Sequence, residues 1–319
     1  MKPSKYRKVL NAYSMLMEEA KYRLIVMDTV LGGQTGWAWP QKIFAPVGAV
    51  VRPSLLICLT LAISIALFYK IEGDVIPPPS TSYNPIRLNY RTATSCNPQD
   101  FRIAIDVGHT IEAPGALSAR GVPEYTFNIS LAERLVKALK DAGFDRTYLL
   151  TMRGIGKPQL IQRSVRANTL QVDLFVSVHH DDVQPKYYSS WQYNGKTLHF
   201  SDKFSGFSLF MSYINAYPAK SLRFAQLVGA ELMARGMHFT THHAENISGE
   251  RRQLIDPERG VYRYDQLIVL KNTKAPSVLI EAGVIVNRAE EVLLTSPERQ
   301  ELFSKAVLAA ANQFCGSQE

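Results

Sequence analysis

Cysteine is scarce in this sequence. Its 319 residues hold three, Cys58, Cys96 and Cys315, and no C-x-x-C pair. That excludes a thiolate zinc module and a thioredoxin-like redox motif. There is no H-E-x-x-H, so the helical zinc-protease motif is absent too. No internal repeat recurs along the chain. Charged residues make up 20% and hydrophobic residues 46%, an ordinary globular mix that excludes both wholesale disorder and a polytopic membrane protein. Basic blocks are missing beyond residue 52, although the formal net charge is +8. Residues 1–52 hold eight Lys and Arg against three acids. The remaining excess is spread thinly, which gives no support to a nucleic-acid platform.

Long apolar runs are equally rare, with one exception. Residues 53–69, PSLLICLTLAISIALFY, are uncharged and lie between Arg52 and Lys70. At about 1.5 Å per residue this run reaches roughly 26 Å as a helix, slightly less than a hydrocarbon core of about 30 Å that snorkelling and thinning accommodate. The basic flank precedes it, while Glu72 and Asp74 follow. By the positive-inside rule, residues 1–52 are expected to stay in the cytoplasm and everything after Lys70 to be exported. Ser64-Ile65-Ala66 is a weak cleavage site and residues 1–52 are long for a signal n-region, so the reading is an uncleaved anchor with a cleaved signal as the alternative. Residues 70–99 contain three consecutive prolines with Ser, Thr and Asn, the composition of a semi-rigid linker.

From residue 100 onward short apolar runs alternate with helical stretches. Strands are expected at 101–106, 148–152, 174–178, 207–212, 267–270 and 277–281, and helices at 124–142, 159–170, 221–235 and 290–314. This alternation predicts an α/β domain over residues 100–319, with a mostly parallel sheet of about six strands and helices on both faces. Cys96 and Cys315 flank that domain. In an oxidising exported space they are expected to pair.

Reactive groups in such domains gather where loops leave the carboxyl ends of strands. Three ends here carry them. The first strand runs into Val107-Gly108-His109, where Gly108 is expected to let the backbone turn. Glu124 opens the first long helix. The strand LFVSV ends in His179-His180-Asp181-Asp182, and SVLI ends in Glu281. Each of His109, Glu124 and His179 has an ordinary structural reading, and His180 and Asp181 are as capable as His179 on chemistry alone. Glu281 is harder to dismiss, because a carboxylate after VLI in a buried strand is costly unless paired, hydrogen-bonded or metal-bound. Two histidines and a carboxylate make an open tetrahedral zinc site, and a further unligated carboxylate is the group a zinc hydrolase uses as its base. His238, His242 and His243 form a rival cluster. His238 and His242 would share a helix face, but the surrounding GMHFTTHHAEN reads as a loop. The aromatic segment 186–200 is expected to be an insertion walling a groove, rather than a stacking surface for nucleic acid.

Five stretches in order, IDVGHT, PGALSARGVPEYTFNISLAERLVKALKDAGF, LIQRSVRANTLQVDLFVSVHHDD, GFSLFMS and APSVLIEAGVIVNRAEEVLL, resemble the catalytic domain of zinc-dependent N-acetylmuramoyl-L-alanine amidases, bacterial cell-wall hydrolases. The resemblance covers residues 100–315. It implies a six-stranded sheet, a Zn2+ held by His109, Glu124 and His179, and Glu281 as the catalytic residue. It implies a peptidoglycan substrate, cut between N-acetylmuramic acid and L-alanine. The implied setting is a monomer anchored by residues 53–69 with the domain in the periplasm or cell-wall space, open to a protein activator and without nucleic acid. Two departures stand out: Asp106-Val107-Gly108-His109-Thr110 replaces the usual DPGHGG, and His180 replaces a small residue. Some relatives carry a helical plug over the zinc site, and residues 183–205 occupy a similar place. Another exported zinc peptidase or deacylase on this scaffold, or an inactive wall-binding module, are the alternatives.

Overall fold

The computed structural model describes residues 96–317. The basic segment, the apolar run 53–69 and most of the linker lie outside the described residues. Among the described residues no helix is long and apolar enough to cross a membrane.

Three buried strands form the middle of the sheet: β1 (Ile103–Val107), β3 (Leu174–Asp181) and β9 (Ser277–Val284). Their sequences are apolar on both faces because helices cover both faces. Alternation along each strand assigns the sides. Ile103, Ile105, Val107, Val176, Val178, Val278 and Ile280 join the core beneath α1 (Glu124–Asp141), α3 (Pro218–Ala234) and α6 (Pro297–Cys315). Ala104, Phe175 and Leu279 join the opposite core, with Ala167 of α2 (Gly156–Thr169) and Val269 and Leu270 of α4 (Ile268–Asn272). By this alternation Asp106, Ser177, His179 and Glu281 follow the second side, and His180 the first.

The sheet has seven strands in the order β2-β1-β3-β9-β6-β8-β7, with β2 at Thr147–Leu150, β6 at Ser208–Met211, β7 at Gln253–Asp256 and β8 at Val261–Arg263. Pairs β2–β1, β1–β3 and β3–β9 are parallel, as is β6–β8. Strand β6 runs antiparallel to β9, and β7 antiparallel to β8. The expected α/β architecture holds, but the sheet is larger and more mixed than the sequence suggests. Strands β7 and β8 span only four and three residues, too short for a periodic signal. The strand expected at 267–270 is instead the start of a helix, with Leu267 before it and Ile268 its first residue, because a four-residue apolar run carries no period that separates a strand from a buried helical turn. The helix expected at 290–314 is two, α5 (Arg288–Thr295) and α6. Ser296 caps α6 by accepting from the Arg299 N–H at 3.1 Å, and Pro297 occupies its first turn, where a proline begins a helix and cannot continue one.

Residues 189–200 form a separate hairpin, β4 (Ser189–Tyr193) with β5 (Lys196–Phe200). Arg120 and Arg288 stack on its Trp191, at 5.5 and 5.3 Å from the ring centroid. Cys96 and Cys315 are joined as a disulfide with 5.4 Å between Cα atoms, tying the approach to β1 to the end of α6.

Candidate active site

His109, Glu124 and His179 come together at the carboxyl end of the sheet. His109 Nε2 lies 2.8 Å from Glu124 Oε2, and His179 Nδ1 lies 3.1 Å from Glu124 Oε1. One donor atom from each residue falls within 4.8 Å of the other two. Burial works against the Glu124 charge, but the two imidazoles hold its carboxyl well below the usual range. An ionised carboxylate between two histidines, supplied by a loop, a helix start and a strand end, fits an open zinc site.

The backbone around these three residues is held by buried polar groups. His109 has φ 66°, a left-handed conformation that needs outside support in a non-glycine residue. Arg163 of α2 supplies it. Its side chain is 1% exposed, and the guanidinium donates to the carbonyls of Val107 and His109 and to Asp106 Oδ1 at 2.8 Å. Asp106 Oδ2 also accepts from the Ser177 hydroxyl at 2.7 Å. The need for glycine at 108 is steric: its φ lies outside the left-handed region, and the His179 ring packs where a Cβ would be. The expected backbone turn falls instead on His109.

His180 is turned toward Asn128 rather than toward the His109, Glu124 and His179 group. Its Nδ1 is 2.7 Å from Asn128 Oδ1, while the Asn128 amide donates to Glu124 Oε1 at 3.0 Å and to the Gly108 carbonyl at 3.2 Å. The His180 backbone N–H reaches Glu124 Oε1 at 3.3 Å. Burial pushes the His180 imidazole down to about 3, so it is neutral and serves to hold Asn128, which in turn orients Glu124. This supporting role separates it from His179.

Glu281 faces His179 across the β3–β9 ladder, and both line a cavity of about 290 Å3 together with His109 and Glu124. Its Oε2 is buried and has no hydrogen-bond partner. Burial, then the charges of Asp181 and Glu124, raise its carboxyl well above the usual range. The strand-end acid anticipated from the sequence is therefore present, with one buried oxygen left unpartnered.

The far wall of the cavity comes from the loop after α3, including His243, Gly249, Glu250 and Arg252. The hairpin β4–β5 contributes no residue to this cavity, so residues 186–200 do not wall it, and residues 183–205 hold a 3₁₀ turn and that hairpin rather than a helical plug. The rival histidines divide. His238 is exposed and meets the Ser205 hydroxyl at 2.9 Å. His242 and His243 sit in a single 3₁₀ turn and both approach Asp181 Oδ2, at 3.3 and 2.8 Å. Burial opposes charge on His243, yet Asp181 and Glu250 push it up to about 9. Pairing of His238 with His242 on a helix face does not occur, because no helix forms there.

The family model described as N-acetylmuramoyl-L-alanine amidase matches residues 103–313. An N-acetylmuramoyl-L-alanine amidase of Mycobacterium tuberculosis is 27% identical over 210 residues, covering 65% of this chain and 75% of that protein. The crystal structure of the N-acetylmuramyl-L-alanine amidase from Mycobacterium smegmatis superposes with a TM-score of 0.54 at 22% identity, covering 70% of this chain and all of that one. The apo enzyme from Mycobacterium abscessus gives 0.51 at 21% identity, over 67% of this chain and 98% of its own. These two structures share the fold.

Proposed function

The chain belongs to the N-acetylmuramoyl-L-alanine amidase family and is a peptidoglycan amidase; from that premise we propose that it works with a zinc ion held by His109, Glu124 and His179, and with Glu281 as its proton carrier. The observation that carries this reading is the unpartnered Glu281 Oε2 beside three converging donors. When bound, zinc supplies Lewis acidity, polarising the scissile carbonyl and lowering the pKa of the attacking water. Glu281 accepts that water's proton at Oε2 as the new carbon–oxygen bond forms. It returns the proton to the nitrogen of L-alanine as the bond to the lactyl carbonyl breaks. The Arg163 and Asn128 networks hold His109 and Glu124 in place, so that the donors need no rearrangement.

We further propose that residues 53–69 anchor the chain, with the amidase domain in the periplasm or cell-wall space. The charge asymmetry around that run supports this, as does a substrate found outside the cytoplasm. Activity of a reporter fused after Glu319 that appears only outside the cytoplasm is the expected result, and cytoplasmic activity would overturn it.

Metal content tests the ligand assignment. His109→Ala, Glu124→Ala and His179→Ala should each lose zinc from this site together with muropeptide release. His180→Gln should keep the zinc stoichiometry. Loss of zinc from His180→Gln but not from His179→Ala would move the ligand by one residue. Full muropeptide release by protein stripped of zinc would refute metal dependence altogether.

A further inference from the structure

The cavity wall holds a second group of donors that the proposed reaction does not use. After His179 the β3–β9 register shifts, and Asp181 meets residues some sixty positions later in the chain. Its Oδ2 lies 2.8 Å from His243 Nε2 and 3.3 Å from His242 Nε2. One donor atom from each of the three residues falls within 4.8 Å of the other two. Asp181, His242 and His243 are 7%, 1% and 9% exposed.

The outward nitrogens of both rings are held from behind. His243 Nδ1 is 3.0 Å from Glu250 Oε2, and Glu250 Oε1 accepts from the Gln184 amide at 2.8 Å. His242 Nδ1 is 2.8 Å from the Thr240 hydroxyl. Fixing an imidazole through its far nitrogen, by a carboxylate or a hydroxyl, is how proteins orient histidine ligands toward a metal. The near nitrogen of His242 has no hydrogen-bond partner although it is buried, an unfavourable situation unless something else fills the gap. Two carboxylates, Asp181 and Glu250, meet these two rings, an acidic surrounding that calls for a positive charge. One divalent cation supplies it.

We propose that Asp181 Oδ2, His242 Nε2 and His243 Nε2 form a second metal site in the wall of the same cavity, for zinc or a similar borderline divalent cation. Two nitrogens and one oxygen favour such an ion over calcium or magnesium, which take oxygen ligands. Asp181 and His243 both line the cavity, so an ion has a route in. Arg252, the cation on this wall, is engaged elsewhere: it donates to the Glu250 and Gly249 carbonyls and stacks on Tyr264 at 3.9 Å. An ion held here would clamp the loop carrying His242 and His243 against the end of β3. The competing arrangement is a proton-held ion pair of Asp181, His243 and Glu250, which has no use for His242 Nε2.

Zinc per chain, counted by elemental mass spectrometry on the full chain after equilibration with zinc and removal of excess, separates the two. The unaltered protein should hold about two zinc ions, and His242→Gln and His109→Ala about one each. One zinc in the unaltered protein, unchanged in His242→Gln, would overturn the second site. If His242→Gln does not fold, His109→Ala decides alone: retained zinc supports the site and none overturns it. A single zinc lost in His242→Gln but kept in His109→Ala would support this site while refuting the ligands assigned to the amidase centre.

Discussion

Replacing Gly108 by alanine moves a proposed metal ligand without removing any polar group. Because its φ lies outside the left-handed region, alanine meets no backbone penalty there. The obstacle is the His179 ring: an added Cβ would sit 2.4 Å from Nε2, 2.5 Å from Cε1 and 2.6 Å from Cδ2. Ordinary contact begins near 3.4 Å, so the ring must retreat by about 1 Å, well beyond the roughly 0.2 Å over which metal–ligand distances vary. A ring displaced that far either releases the ion or pulls it from His109 and Glu124. Zinc affinity should fall by at least about tenfold and turnover by on the order of 10². The thermal midpoint of the zinc-free protein should barely change, since the atoms that must move belong to a side chain at a cavity. Competition with a chromophoric chelator reads the affinity, and release of muropeptides from purified wall reads the turnover. Wild-type zinc affinity and turnover in Gly108→Ala would show that His179 is not the ligand packed against this glycine.

Two further outcomes concern the scaffold. Arg163→Leu leaves Asp106 buried without its cation, so urea denaturation should show a loss of about 3–5 kcal/mol; a change under about 1 kcal/mol would refute the role given to this pair. The Cys96–Cys315 disulfide closes a loop of 219 residues, worth about 5 kcal/mol in the chain-entropy model. Reduction should lower the unfolding midpoint, and alkylation before reduction should reach neither cysteine. Labelling of both would end that assignment.

Much of the site was legible because it lies at strand ends, which apolar runs mark well. Glu281 announced itself through the cost of a carboxylate after VLI, and the disulfide through the placement of two cysteines around the domain. Residues that act through a third dimension were not legible. Nothing in QLIQRSVRAN distinguishes Arg163 from a solvated helical arginine; the only signal was Asp106, an acid in a strand that had to find a partner. The choice between His179 and His180 depends on which face each takes, and on Asn128 four residues into a helix. Gly108 looked like a turn glycine, yet what matters is the ring packed against it. Asp181, His242 and His243 meet across a bulge and a long loop, and no periodic pattern reports that. The boundary between α5 and α6 was visible in Ser296-Pro297, but the apolar pattern runs through it.

The division of labour between ligands and base is tested most directly by Glu281→Gln, assayed for zinc content and muropeptide release on one preparation. The change keeps the size of the side chain and removes its capacity to take a proton. The account predicts the metal content of the unaltered protein and a turnover lower by about 10² to 10⁴, the usual worth of general acid–base catalysis. Unchanged turnover with zinc in place would contradict it, because another group would then have to carry the proton.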